Sequence, residues 1–297
     1  MKLVVVDRPR TVYENLALNH ACLDAVSAGA YEQIVRVYQF SKPGAILSNT
    51  EDVWDIREEA REHIDITRRP TGGSVVYVDE NTIGYSVFLK TASKVDLTDT
   101  YRKFTARVVQ ALNDLGVTGI DCGNWYVRLN GGVIAGHAQQ NRSFISEFQG
   151  LMRVTKWDMD ALAKTLRLRT LAEHDGNRYL IIDGNVYDLK CKGVDIPAER
   201  LTRVRDEHSE LAAAPALAAY GIRTFDLVER LATALAQSSE RNIWPDDILT
   251  RMRALETHYR DPQLVHGSEH NKDRGRGHCF VDLVQRESDV DETLINK

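Results

Sequence analysis

Residues 69 to 74 read Arg69-Pro70-Thr71-Gly72-Gly73-Ser74. Adjacent glycines let a ligand come close to the backbone, because no Cβ stands in the way. Their N–H groups can form a concave nest for an anionic oxygen. Arg69 can add a two-pronged fork to a carboxylate or phosphate. The chemistry this suggests is the capture of an acid or a phosphoryl group. The same residues also suit a ligand-free hairpin turn that needs positive φ. A second segment, Asn130 to Gln139 (NGGVIAGHAQ), is rich in small residues. It leaves room beside a strand, either for a slender chain or for another backbone crossing closely. Near the C-terminus, His266, His270, His278 and Cys279 offer four N/S donors that suit zinc by type. The polar stretch around them reads equally as a flexible tail.

The elements that must position these residues follow from periodicity. Leu3–Val6 reads as a strand, and Thr11–Ala28 as a helix with Val12, Leu16, Leu23 and Val26 on one face. Ile34–Phe40 and Ala45–Leu47 read as strands, and Val53–Glu62 as a polar helix. Val75–Val78 and Gly84–Leu89 flank Asp79-Glu80-Asn81, which predicts a hairpin. Tyr101, Phe104, Val108 and Leu112 mark a helix ended by Gly116. Tyr126–Leu129 and Val133–Ala135 are strands joined by Asn130-Gly131-Gly132, with Phe148–Val154 next. After a short helix over Met159–Leu168 comes a hairpin, Tyr179–Ile182 with Val186–Leu189. Leu201–Leu211 is dense in charge and reads as a solvated loop or surface helix. Two further helices are centred on Phe225–Leu235 and Asp246–His258.

Hairpins mixed with helices favour an α+β fold with a mixed, mostly antiparallel sheet over a doubly wound one. The Gly-Gly segment precedes a strand rather than a helix, which removes the Rossmann and P-loop readings. The 297 residues carry 38 Lys plus Arg against 43 Asp plus Glu, a net charge of −5 that gives no footprint for nucleic acid. No run of 18 apolar residues and no secretory leader is present, so a membrane span is excluded and a cytoplasmic location is expected. Four widely spaced cysteines (22, 122, 191 and 279) form neither a disulfide scaffold nor a metal knuckle.

Taken together, RRPTGG followed by the VVYVD strand and GYSV, then IAGHAQ, resemble two elements of the lipoate–protein ligases and octanoyltransferases. ENLALN (Glu14–Asn19) resembles that family's first helix. Ala254-Leu255-Glu256 with Tyr259-Arg260-Asp261-Pro262 resembles its C-terminal signature. The resemblance runs in order from about residue 11 to 264. It implies a biotin/lipoate-ligase-like, class II synthetase-like fold, with a catalytic domain over 1–200, a helical accessory part over 201–264 and a polar tail over 265–297. It also implies ATP and Mg2+ as cofactors, lipoate or octanoate as substrate, and acyl transfer through an acyl-adenylate. The acceptor would be a lysine of a lipoyl carrier domain, of the 2-oxoacid dehydrogenase E2 or glycine-cleavage H protein type, and a small accessory subunit is compatible. Carried over by position, Arg69, Gly72, Gly73, Ser74, Val75, Val76 and Tyr77 line the acyl-adenylate pocket, with Gly136, His137 and Ala138 opposite. The valines, Tyr77 and Ile134 offer an apolar slot for the acyl tail.

The chain also departs from the family pattern. Val133 stands where the family places a lysine against the acyl carbonyl and phosphate. Val78 stands at the histidine of an H-D pair, Ser74 at a third glycine or an arginine, and Gln149 at the start of a His-Gly. Surrogate cations are then Arg128, Lys190 or Lys192. Two alternatives remain beside the ligase: an acyltransferase fed by an acyl carrier, and a catalytically impaired relative that binds lipoyl domains or acyl groups. Biotin attachment lacks its glycine- and arginine-rich loop. Because some octanoyl-transferring relatives use an acyl-cysteine, Cys122 with His137 is a further candidate nucleophile pair.

Overall fold

A computed structural model of the chain describes residues 1–49, 51, 53–91, 97–123, 125–142, 144–187 and 193–266. The chain opens with β1 (Lys2–Val6) and α1 (Val12–Ser27). Thr11 caps the helix through a reciprocal pair with Glu14: the Glu14 N–H donates to Thr11 Oγ1 at 3.2 Å and the Thr11 N–H to Glu14 Oε2 at 3.0 Å. Next come β2 (Gln33–Gln39), β3 (Gly44–Leu47), β4 (Asp65–Arg68), β5 (Val76–Val78) and β6 (Thr82–Lys90). α2 (Leu97–Asp114) leads to β7 (Ile120–Cys122), β8 (Tyr126–Leu129), β9 (Gly132–Arg142) and β10 (Ile145–Arg153). α3 (Met159–Thr165) precedes β11 (Arg169–His174), β12 (Asn177–Ile182), β13 (Asn185–Tyr187) and β14 (Thr202–Asp206). The chain closes with α4 (Glu207–Ala212), α5 (Thr224–Ala236), α6 (Asp246–Arg260) and α7 (Pro262–His266).

These strands form a seven-stranded sheet in the order β1-β2-β6-β10-β9-β8-β7, a four-stranded sheet β13-β12-β11-β14 and a three-stranded sheet β4-β3-β5. Among the described strands, only the β1/β2 and β3/β4 pairs are parallel. This is the mixed, mostly antiparallel α+β architecture that the hairpin-rich sequence predicts.

Both faces of the large sheet are buried. On one, Val35, Val37, Tyr85, Val87, Phe148 and Met152 pack against α2 and α5. On the other, Ile34, Tyr38 and Phe88 pack against α1 and α6. That double burial matches the apolar residues that β2 and β6 carry at both alternations, such as Ile34 and Val35 or Val87 and Phe88. The C-terminal helices therefore fill the same two cores as the N-terminal strands. A fully buried Arg36 on β2 fastens α1 to the sheet: Nη1 donates to Asn19 Oδ1 at 2.8 Å and Nη2 to Asp7 Oδ2 at 2.9 Å. Burial raises the Asp7 carboxyl, but Arg36 and Arg10 outweigh it and hold it below its ordinary range.

The structure corrects three readings. Val75–Val78 and Gly84–Leu89 do not pair as a hairpin. Thr82 N–H closes the turn onto Asp79 O at 2.9 Å, but β5 then joins β3 while β6 joins β2 and β10. The turn thus passes the chain from the small sheet to the large one. Val53–Glu62 forms two short 3-10 turns, Val53–Asp55 and Glu58–Ala60, instead of one helix. In Leu201–Leu211 the surface-helix reading holds for α4, but the first half forms β14, which pairs with the distant β11.

Candidate active site

A cavity of about 260 Å3 lies between the large sheet, the small sheet and the chain around α3 and α4. Its apolar lining includes Leu16 of α1, Tyr38 of β2, Ile46 of β3, and Val75, Val76 and Tyr77 on the way into β5. The sheet contributes Val133, Gly136, Ala138, Gln149 and Leu151. Of the residues placed here by resemblance, Arg69, Gly73, Ser74, Val75, Val76, Tyr77, Gly136, His137 and Ala138 line this one cavity, together with Val133. Gly72 does not line it. An added Cβ at Gly136 would meet nothing within 4 Å, so the floor is open there.

The loop from Arg69 to Ser74 links β4 to β5. Gly73 has φ +96°, a left-handed conformation, and a Cβ there would stand 2.9 Å from Arg69 Nη2. Arg69 is committed to this turn and does not project as a ligand fork: Nη1 donates to Ile46 O at 3.0 Å, and Nη2 to Gly72 O and Ser74 O, both at 2.8 Å. Arg69 lines the cavity, but its donors grip the carbonyls of Ile46, Gly72 and Ser74. Gln149 holds the loop from the sheet by donating from Nε2 to Thr71 Oγ1.

The placement of Val133 depends on a bulge. β8 pairs Val127 with Ala135 but Arg128 with Val133, leaving Ile134 as an extra residue. Ile134 therefore packs into the core with Ala135, both also bordering the cavity as expected for Ile134, and Val133 lines it too. On β8, Val127 and Leu129 are fully buried in that core, so Tyr126 and Arg128 lie on the opposite face; Tyr126 lines the cavity and Arg128 does not. Arg128 stacks over the Tyr126 ring at 4.0 Å, and its Nη2 lies 3.0 Å from Glu210 Oε1 of α4. Tyr126 and Glu210 both line the cavity. Lys190 and Lys192 lie outside the described residues, as do His270, His278 and Cys279.

The His137 side chain points away from the cavity. Its Nε2 is 2.7 Å from Tyr85 Oη and its Nδ1 3.0 Å from Thr105 Oγ1. Full burial pushes its pKa down to about 3, so the ring is neutral. Both nitrogens are engaged on the α2 side, so His137 does not act as a base for Cys122. The Cys122 thiol is itself pushed up by burial and by Asp121, which disfavours a thiolate.

The sequence reading missed two arginines of the cavity wall. Arg167 lies 2.9 Å from Asp183 Oδ2, and its Nε donates to Trp54 O at 3.0 Å. Arg169 contacts Asp55 and lies 3.5 Å from Glu51 Oε1. Alternation in Arg167-Leu168-Arg169 is the only local sign of them, and it does not say what they face. Among the described residues no group of three or more His, Cys, Asp or Glu could hold a metal ion.

The cavity thus lies where the mixed sheet meets the smaller one, with the glycine turn in its lining. Residues 11–190 match the lipoyl protein ligase A/B catalytic domain family, and the chain belongs to it. A lipoate-protein ligase of Bacillus subtilis is 29% identical over 128 residues, 42% of this chain and 37% of that protein. The chain matches little more than a third of the length of its curated relatives. Among solved structures, a bi-partite lipoate protein ligase with its E2 lipoyl domain from Thermoplasma acidophilum aligns with a TM-score of 0.67 at 17% identity, over 90% of this chain and 95% of that one. A lipoate-protein ligase A bound with ATP aligns with a TM-score of 0.64 at 15% identity, over 90% of this chain and 98% of that one. At these identities the structural likeness establishes the shared fold.

Proposed function

We propose that the protein attaches lipoate, or octanoate, to a lysine of a lipoyl carrier domain at the expense of ATP. The observation that carries this reading is the cavity: a mostly apolar space of about 260 Å3 lined in part by the Arg69–Ser74 turn, in a chain of the lipoyl ligase family. The acyl tail would lie along Val75, Val76, Ile46 and Leu151, with the open floor at Gly136 beside it. Its carboxylate would face the turn, where Arg69 contributes positive charge while holding the loop in shape.

In the first step a carboxylate oxygen attacks the α-phosphorus of ATP, and pyrophosphate leaves with its bond electrons. In the second, the neutral amine of the acceptor lysine attacks the acyl carbonyl, AMP leaves, and the amine's proton passes to solvent. Mg2+ would enter with the nucleotide phosphates and neutralise part of their charge. The chain's own part is to exclude water from the acyl group and to fix the carboxylate beside the turn. An acceptor domain and a small accessory chain are consistent with the bi-partite relative.

Val133 favours a second reading, an acyl- or lipoyl-domain-binding protein without turnover. Exchange of labelled pyrophosphate into ATP separates the two. Exchange that requires lipoate or octanoate supports the adenylating enzyme. Absence of exchange, with lipoate binding retained, supports the binding protein.

A further inference from the structure

The segment Tyr259-Arg260-Asp261-Pro262 joins α6 to α7 and supplies no residue to the lining of the acyl cavity. Its own bonds make it a firm joint. Arg260 Nε donates to Glu256 Oε1 of α6 at 2.9 Å. Asp261 caps α7: the Gln263 N–H donates to Asp261 Oδ1 at 2.8 Å and the Leu264 N–H to Asp261 O at 3.0 Å.

The two residues of β4 that precede the Arg69–Ser74 turn hold this joint. Thr67 Oγ1 donates to Tyr259 O at 2.9 Å. The buried Arg68 guanidinium spans two segments. On one side, Nε donates to Leu264 O at 2.9 Å and Nη2 to Val265 O at 2.6 Å, both in the last turn of α7. On the other, Nη1 donates to Ser48 O and Glu51 O in the chain that follows β3. Arg68 thus connects α7 to Glu51 and, through the next peptide bond, to Arg69, and both of these line the cavity. Val265 is buried in one apolar cluster with Leu47, Tyr77, Leu162 and Leu166, of which the last three are also lining residues. A helix as short as Pro262–His266 has little stability of its own, so these contacts decide whether it stays seated.

We propose that Arg68 is a positioning residue that couples the seating of α7 to the shape of the acyl site, so that a bound acid and a docked α7 stabilise each other. The inference rests on the acyl-binding reading of the cavity. Such coupling is reciprocal: if α7 holds Glu51 and the turn where the acid needs them, the acid holds α7 down in return. Lysine is a poor substitute, because a single ammonium lacks the planar fork that here reaches four carbonyls.

The test uses the full chain with lipoate and, separately, octanoate, with binding followed by calorimetry and α7 by hydrogen exchange of its backbone amides. In the wild type, saturating lipoate is expected to slow exchange over residues 263–266 by about tenfold. Arg68→Lys should weaken lipoate binding by about the same factor and abolish that slowing. A side chain that only stabilised the fold would leave the ligand-dependent slowing in place. Asp261→Ala, on the exposed cap, should also weaken binding, and its effect should vanish in the Arg68→Lys background, where the same link is already cut. Exchange over 263–266 that saturating lipoate leaves unchanged overturns the assignment, as do wild-type affinity in folded Arg68→Lys and additive losses in the folded double variant. Should Arg68→Lys fail to fold, wild-type affinity in Asp261→Ala overturns it. A wild-type chain that binds neither acid overturns the acyl-binding reading, and this assignment with it.

Discussion

At the scale of single residues, chemistry and architecture are divided among neighbours that look alike in sequence. His137 and Gly136 are adjacent in IAGHAQ and both line the cavity, yet the histidine ring turns to the other side of the sheet. The histidine is a buried, neutral bridge between Tyr85 and Thr105. That role has a measurable sign. With a folded pKa of about 3 against an ordinary value of 6.5, the unfolded chain takes up a proton between these limits while the folded chain does not. The stability contribution is thus fully present above about pH 6.5 and lost as pH falls toward 3, with a slope of about 1.4 kcal/mol per pH unit. Subtracting a pH series of melting temperatures for His137→Gln from that of the wild type should leave this acidic branch. Parallel curves between pH 4 and 6.5 would show that His137 is not held neutral.

At the scale of elements, the site is made by how strands hand over to one another. α1, β1, β2, β8 and α5 were legible in the sequence because each carries its own period and its own stop signals. The Asp79–Thr82 turn was legible as a turn, but its partners were not, since β5 and β6 find theirs in β3 and in β2 with β10. β11 and β14 are legible only once paired, with more than thirty residues between the partners Thr170 and Asp206. In the candidate site, residues of both the RRPTGG and the IAGHAQ segments line one cavity. The commitment of Arg69 to its own loop was not visible, because a carbonyl cage leaves no residue-type signal. The bulge beside Val133 was equally invisible, since it is a property of register. The crossing at Gly132 gives a test at this scale. Gly132→Ala sets a methyl group against the backbone at Ala213–Ala214, displaces α4 and separates Glu210 from Arg128. The expected result is a loss of about 1–3 kcal/mol of stability, as overpacking typically costs, and a lower yield of acyl transfer. Unchanged chemical denaturation would mean that the two backbones do not pass at that point.

At the scale of the whole molecule, the cavity is a joint product of segments from Leu16 to Leu211, and no single lobe contains it. α5 and α6 close the two faces of the large sheet through Leu227, Leu231 and Leu235 on one side and Ile248, Met252 and Leu255 on the other. The site therefore depends on the full set of layers, and its apolar slot is sized by packing that spans most of the chain. The central claim is that this slot activates an acyl group and passes it to a carrier lysine. Incubating the purified chain with a lipoyl domain, ATP, Mg2+ and lipoate, and weighing the acceptor by mass spectrometry, tests it most directly. A gain of one lipoyl group that disappears without ATP, or when the acceptor lysine is replaced, is the predicted result. An acceptor of unchanged mass with both lipoate and octanoate, from a chain shown to be folded, would contradict it.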